Sequence, residues 1–253
     1  MARLDQICRH PIKSLGEEVI DRVRLTRGAH MPGDRVWAIA HGKSAFDPAA
    51  PGWAQSRNFV IQTLHPKLAQ LTVALEEEAP EAATVTLTHP DLGAIKVRPE
   101  QDAAALTAWL TPIVDPRPAP PPYRVARAPL PMTDFEDSHI SIGSLASLRA
   151  LEEMAGGPLA RIRFRMNLWL DGLEPWAEQD WQGREIAVGG ARLRITAPAK
   201  RCDALNANPN TGARDTDLPR LLHGAFRHMH FGVYAQVTES GDIAAGDDVW
   251  TPS

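Results

Sequence analysis

The stretch Glu185-Ile186-Ala187-Val188-Gly189-Gly190-Ala191-Arg192-Leu193-Arg194-Ile195-Thr196 decides how the chain is read. Ile186 and Val188 alternate with polar or small residues on one arm. Leu193 and Ile195 do so on the other. The Gly189-Gly190 pair between them supplies a tight turn, so the stretch predicts a β-hairpin. Short strands of the same kind recur on both sides. Upstream, candidates run over 19–25, 35–40, 71–75, 84–88, 94–97 and 161–170; downstream, over 231–238 and 249–250. Helices are few. One begins at Asp102 with Leu106, Trp109 and Leu110 as its apolar face. A second is capped by Ser144, carries Leu145, Leu148, Leu151 and Ala155 at helical spacing, and is stopped by Gly156-Gly157-Pro158. A third, short one covers 217–222. The pattern predicts a mostly-β (α+β) chain of β-barrel architecture with a few short helices.

Composition sets bounds on function. At 253 residues with 43% hydrophobic content, the chain can build one large or two small cores. A net charge of −4 argues against non-specific nucleic-acid binding, which needs a basic excess. No segment approaches the roughly 20 apolar residues of a membrane span. Two cysteines and no signal-peptide pattern predict a reducing cytoplasm. The prolines concentrated between Pro112 and Pro131 read as a linker or extended surface segment.

Three places could carry chemistry. Cys202 follows Lys200 and Arg201 and precedes Asn208-Pro209-Asn210-Thr211-Gly212. Flanking cations favour a thiolate, a soft ligand for transition metals, but a buried small residue fits the local sequence as well. Over Arg161–Leu170, a strand would place Arg161, Arg163, Arg165 and Asn167 on one face. That face is either a solvated edge or an anion-binding wall, since arginine matches oxyanions with a fork of donors. Lys13-Ser14 in His10-Pro11-Ile12-Lys13-Ser14 can hold a phosphate or simply form a surface turn. His223, His228 and His230 lack the companions of a zinc site. Cys8 reads as a buried small residue, and Glu76-Glu77-Glu78 as a solvated charge run.

Taken together, Pro11-Ile12-Lys13-Ser14, Gly33-Asp34-Arg35-Val36-Trp37, Phe164-Arg165-Met166-Asn167-Leu168, Leu173-Glu174-Pro175-Trp176-Ala177-Glu178, Arg201-Cys202 with its Asn-Pro-Asn-Thr-Gly sequel, and Phe231-Gly232-Val233-Tyr234 resemble the MOSC proteins. The similarity is greatest to two-part members related to the mitochondrial amidoxime-reducing component. It implies an N-terminal β-barrel-like region over 1–115 and a MOSC barrel over 116–253. It further implies a molybdenum cofactor (a molybdopterin), with Cys202 as the protein's metal ligand and catalytic residue. Lys13, Ser14, Arg35, Ser138, Arg165, Asn167 and Tyr234 would hold the pterin and its phosphate. The implied activity is oxidoreduction of small N-oxygenated substrates. The chain has no Gly-x-Gly-x-x-Gly turn and too few cysteines for an iron–sulfur cluster. Electrons would therefore come from a separate ferredoxin- or flavin-type protein. A sulfur-carrier role, with a persulfide on Cys202, is the alternative. The chain departs from the pattern at Met166, where relatives commonly have proline, and at Lys200, where they tend to have serine.

Overall fold

A computed structural model describes residues 2–76, 82–134, 136 and 140–251. The first half contributes β1 (Ala2–Arg9), β2 (Glu18–Ile20), β3 (Arg22–Leu25), β4 (Trp37–Ala40), β5 (Thr72–Glu76), β6 (Thr84–His89), β7 (Gly93–Val97), α1 (Ala103–Leu110) and β8 (Arg124–Arg127). The second half contributes β9 (Ile140–Ser144), α2 (Leu145–Ala155), β10 (Leu168–Asp171), β11 (Glu185–Val188) and β12 (Ala191–Lys200). It ends with α3 (Leu218–Phe226), β13 (His230–Glu239), β14 (Gly241–Ala244) and β15 (Asp248–Trp250).

The largest sheet runs β10-β9-β13-β12-β11-β15-β1-β2, and β1 also pairs with β10. Seven strands therefore close into a barrel with no free edge, and β2 hangs from β1 outside the ring. The predicted hairpin forms its most regular wall, with Ile186 opposite Leu193 and Val188 opposite Ala191. Inward-facing Leu4, Ile7, Ile142, Leu168, Leu170, Ile186, Val188, Leu193, Ile195, Val233 and Ala235 are all buried and fill the barrel. Burial of apolar area on this scale is the main force holding such a fold.

The closing strand β1 has no clean alternation in its sequence. A bulge between Leu4 and Gln6 shifts its register against β10, so Leu4 meets Leu170 and Ile7 meets Leu168. The bulge keeps both apolar residues pointing inward although they are three positions apart. The stretch 19–25, expected as one strand, is two: β2 pairs with β1, and β3 with β14.

The stretch 161–170 departs further from expectation. Residues Arg161–Phe164 form a 3-10 turn, and Arg165 takes a left-handed conformation at φ 50°. Only Leu168–Asp171 is strand. The three arginines accordingly do not share a wall. Arg161 donates to Asp5 and Gln6, well away from Arg163 and Arg165.

A second core lies among β4–β8 and α1, where Trp37, Ile39, Leu68, Leu71, Val85, Leu87, Leu106 and Leu110 are buried. The proline-rich segment belongs to it and is not a linker. Ile113, Val114 and Ala119 are buried there, and β8 pairs with β4. Prolines remove backbone donors without preventing the side chains between them from packing. Of the helix caps, Ser144 accepts from the Ser147 N–H, and Gly156 ends α2 at φ 77°. Asp102 instead accepts from the Arg98 N–H.

Met166, the departure from the common proline, is buried beside Gly232. A Cβ on Gly232 would lie 2.3 Å from the Met166 Cε and 2.4 Å from the Ile142 carbonyl, at a backbone φ of +70°. The thioether thus occupies space that a glycine leaves on the neighbouring strand.

Candidate functional site

A cavity of about 360 Å³ lies where the two halves meet. Residues 10–15 and 34–37 are locked together on one side of it. The Arg35 N–H donates to the His10 carbonyl at 2.7 Å, and the Lys13 N–H to the Trp37 carbonyl at 2.8 Å. Behind them sits buried Asp34. It accepts from the His10 N–H (2.7 Å), His10 Nδ1 (3.1 Å), Asn167 Nδ2 (3.2 Å) and the Arg35 guanidinium. Burial alone would raise the Asp34 carboxyl, but the Arg35 charge and the His10 hydrogen bonds outweigh it and hold the group well below the usual carboxylate range.

The opposite wall is built from the second half. Cys202 follows β12 and opens a 3-10 turn over Asp203–Asn206. Its thiol is exposed to the cavity, with Sγ 3.6 Å from Thr63 Oγ1 of the first half. This settles one local ambiguity: Cys202 is not a buried small residue, whereas Cys8 is fully buried, as expected. Arg201 is anchored by Nη1 to the Phe164 carbonyl at 2.6 Å. The Asn-Pro-Asn-Thr-Gly segment has an indirect part. Asn208 Nδ2 donates to Asp215, which in turn holds Arg163 Nη2 at 2.8 Å, and Arg163 lines the cavity. Gly212 in that segment abuts the first half, where a Cβ would come within 2.3 Å of Gln70 Oε1.

The cavity gathers Lys13, Ser14, Arg35, Arg165, Asn167, Tyr234 and Cys202. Ser138 lies outside the described residues. The roles of those gathered are unequal. Lys13 is buried, and its Nζ donates to the Met132 carbonyl (2.8 Å) and Asp134 (2.9 Å). Burial lowers its pKa against the opposing pull of Asp134. Arg165 donates to the Gly16 carbonyl at 3.2 Å, and its buried Nη2 has no partner. Burial first, then the neighbouring Arg35 charge, push it down to about 10. Asn167 is spent on the protein itself. Its Oδ1 accepts from the Ser141 N–H and Oγ, while its Nδ2 donates to the Cys8 carbonyl and Asp34. Asn167 therefore orients the wall and has no donor left for a ligand.

Ser14, Arg35 and Arg165 share a backbone property. Each sits at positive φ, at 65°, 49° and 50°, and only two other described non-glycine residues do so. Such conformations cost of order 1–3 kcal/mol each and persist where the surroundings enforce them, commonly at functional sites. They aim three polar side chains into one space.

Sequence reading missed Gln62, Thr63, Asp134 and Ser141 in the lining. None stands in a motif, because each arrives by tertiary packing. His228 and His230 stack at 4.5 Å, and no group of three potential ligands for a metal ion exists among the described residues. Among those residues, too, no helix is long and apolar enough to cross a membrane.

The donor set fits a buried anion joined to a soft metal. Two guanidiniums and an ammonium converge, one nitrogen is left without a partner, and a single thiol is exposed at the same cavity. Residues 123–250 match the model of the MOSC domain, and 1–111 that of the MOSC N-terminal beta barrel domain. Mitochondrial amidoxime-reducing component 1 of Xenopus laevis is 29% identical over 125 residues, covering 45% of this chain and 36% of the relative. Molybdenum cofactor sulfurase of Bos taurus is 32% identical over 77 residues, 30% of this chain and 8% of the relative. The matches thus span well under half of either curated relative.

Among solved structures, YuaD from Bacillus subtilis aligns over 98% of this chain and 93% of its own, with a TM-score of 0.47 and 12% identity. YiiM from Geobacillus stearothermophilus covers 45% of this chain and 54% of its own, with a TM-score of 0.36 and 23% identity. With both of its parts matched in order along the sequence, this chain belongs to the MOSC family.

Proposed function

We propose that the cavity binds a molybdenum–pterin cofactor and that the protein is a small oxidoreductase acting on N-oxygenated substrates. The observation that carries this reading is the convergence of the Cys202 thiol with Lys13, Arg35 and Arg165 around one cavity, with Arg165 Nη2 left unpaired. Cys202 would ligate the metal. Lys13, Ser14, Arg35 and Arg165 would hold the anionic pterin phosphate, and Tyr234 would line the pterin's path. Ser138 is assigned to the same group from its motif. When bound, the cofactor would supply a two-electron centre for oxygen transfer. The chain's own residues bind and orient it. Asp34 fixes the Arg35 fork, Asn167 fixes the strand crossing behind it, and Thr63 narrows the space beside the thiol. Electrons would come from a separate ferredoxin- or flavin-type protein.

The exposure of Cys202 also suits a sulfur carrier, in which its thiolate takes the outer sulfur of a donor protein's persulfide, the donor thiol leaves, and no molybdenum is needed. One experiment separates the two. The protein is made in a host competent for cofactor synthesis, assayed for molybdenum, and tested for reduction of an N-hydroxylated amidine with reduced viologen dye and with nicotinamide cofactor alone. Stoichiometric metal and dye-dependent turnover are expected, with no sustained turnover on nicotinamide cofactor. Metal-free protein with sulfane sulfur on Cys202 would establish the carrier role instead.

A further inference from the structure

We propose that the site is selective for substrates that themselves carry a negative charge, and that Lys200 is the residue that sets this preference. The inference rests on the cofactor reading above, with the cavity mouth beside Cys202 as the place where substrate meets the metal.

Among the described residues, Lys13, Arg35, Arg163, Arg165, Lys200 and Arg201 line the cavity, against one lining carboxylate, Asp134. Three of these cations have an acidic partner. Lys13 holds Asp134, Arg35 holds Asp34 and Arg163 holds Asp215. Arg165 and Arg201 meet only main-chain carbonyls. Arg165 and Arg35 lie on the deep side, where an anionic cofactor would neutralise them. Lys200 differs from all of these. It is exposed, it lines the cavity two residues from Cys202, and no carboxylate among the described residues pairs with it.

The acidic groups close by are otherwise engaged or face elsewhere. Asp134 is bonded to Lys13 and Ser56, and Asp203 starts the turn after Cys202 without lining the cavity. An unneutralised ammonium at the mouth of a concave site raises the local concentration of anions and disfavours cations. Lysine is suited to this as a flexible point charge that needs no fixed fork geometry. The fitting substrate is a small molecule bearing a carboxylate or oxyanion near its N–O group.

The test uses the full chain made without cofactor, so that the Cys202 thiol is free, and reads the potential at the thiol directly. Cys202 is alkylated with anionic iodoacetate and, separately, with neutral iodoacetamide, and the ratio of the two rates is taken. The thiolate fraction cancels in this ratio. Buried Cys8 is distinguished by peptide mapping. The ratio for the wild type should exceed that of 2-mercaptoethanol. It should fall about three- to five-fold in Lys200→Gln, the scale of one exposed ion pair, hold in Lys200→Arg, and diminish in 1 M salt. An unchanged ratio in Lys200→Gln overturns the proposal.

A second arm compares dye-linked kcat/KM for an N-hydroxylated benzamidine with and without a ring carboxylate. The carboxylated compound should be preferred by the wild type and lose that preference in Lys200→Gln. Equal preference in the two proteins also overturns the proposal. Should the wild type hold no molybdenum, the cofactor reading fails, and the alkylation ratio still decides whether Lys200 selects anions.

Discussion

Replacing Arg165 with methionine separates a ligand-holding cation from a scaffold residue. The substitution keeps an unbranched apolar stem and removes the guanidinium. It leaves the left-handed backbone at φ 50° equally unfavourable in both proteins. In the folded apoprotein the charge is a burden. Burial and the Arg35 guanidinium push Arg165 down to about 10 from an ordinary 12.5. A difference of that size corresponds to about 3 kcal/mol against the charged form. Its hydrogen bond to the Gly16 carbonyl, at 3.2 Å, returns about 1.5–3 kcal/mol. The two effects nearly cancel, so Arg165→Met should leave apoprotein stability within about 1 kcal/mol of wild type. For a chain of this length that is about 2–4 °C in Tm. Cofactor retention should respond very differently, because the unpaired Nη2 is then gone. The assay is thermal melting of apo and loaded protein, with molybdenum measured after gel filtration. A loss above about 3 kcal/mol in the apoprotein would show that the guanidinium belongs to the scaffold and would refute the reasoning.

Asn167→Ala should do the opposite. It strands the Ser141 N–H and the Cys8 carbonyl in a buried setting, and urea unfolding should show a loss of about 3 kcal/mol in apo and loaded protein alike. Cys202→Ser should fold normally and lose molybdenum, while Cys8→Ser keeps its metal; elemental analysis checks both. Buried Glu178 accepts from Ser147 Oγ at 2.8 Å, and burial raises its pKa. A carboxyl raised on folding contributes stability that is complete below its unfolded pKa and declines as pH climbs through the folded value. Glu178→Gln should therefore flatten that decline and stabilise the protein at neutral pH, as read from Tm measured between pH 4 and 8.

The barrel was legible wherever apolar residues alternate without interruption. The hairpin at 185–196 and the strand around Val233 are of that kind. β1 was illegible because its bulge breaks the period, and β8 because prolines surround it. The stretch 161–170 misled for the converse reason. Its period-2 pattern is real in the sequence, but a 3-10 turn and one left-handed arginine spend most of it on other geometry. At the site, the family resemblance picked out Lys13, Arg35, Arg165 and Cys202, and the structure brings them to one cavity. Thr63, Gln62 and Asp134 carry no local mark, because only the meeting of the two halves gives them a place. Asn167 shows the limit of a motif. Its position in the wall was readable, but the wholly internal use of its amide depends on Ser141, Cys8 and Asp34.

The closure of the barrel by β1 has a consequence for how the protein is made and how it can be cut. β1 precedes its partners β10 and β15 by some 160 and 245 residues of chain. The ring cannot shut until β15 has emerged, and until β10 and β15 arrive β1 has only β2 to pair with. Pairing over such separations is slow. A fragment beginning at residue 116 would lack that stave. It would expose the flanks of β10 and β15 as two raw edges, the template on which strands of separate molecules join. The same stave that finishes the second half's barrel leads, within a few residues, into the loop bearing Lys13 and Ser14. Severing the halves would thus take from the cavity both a wall and its Lys13–Ser14 loop in one cut.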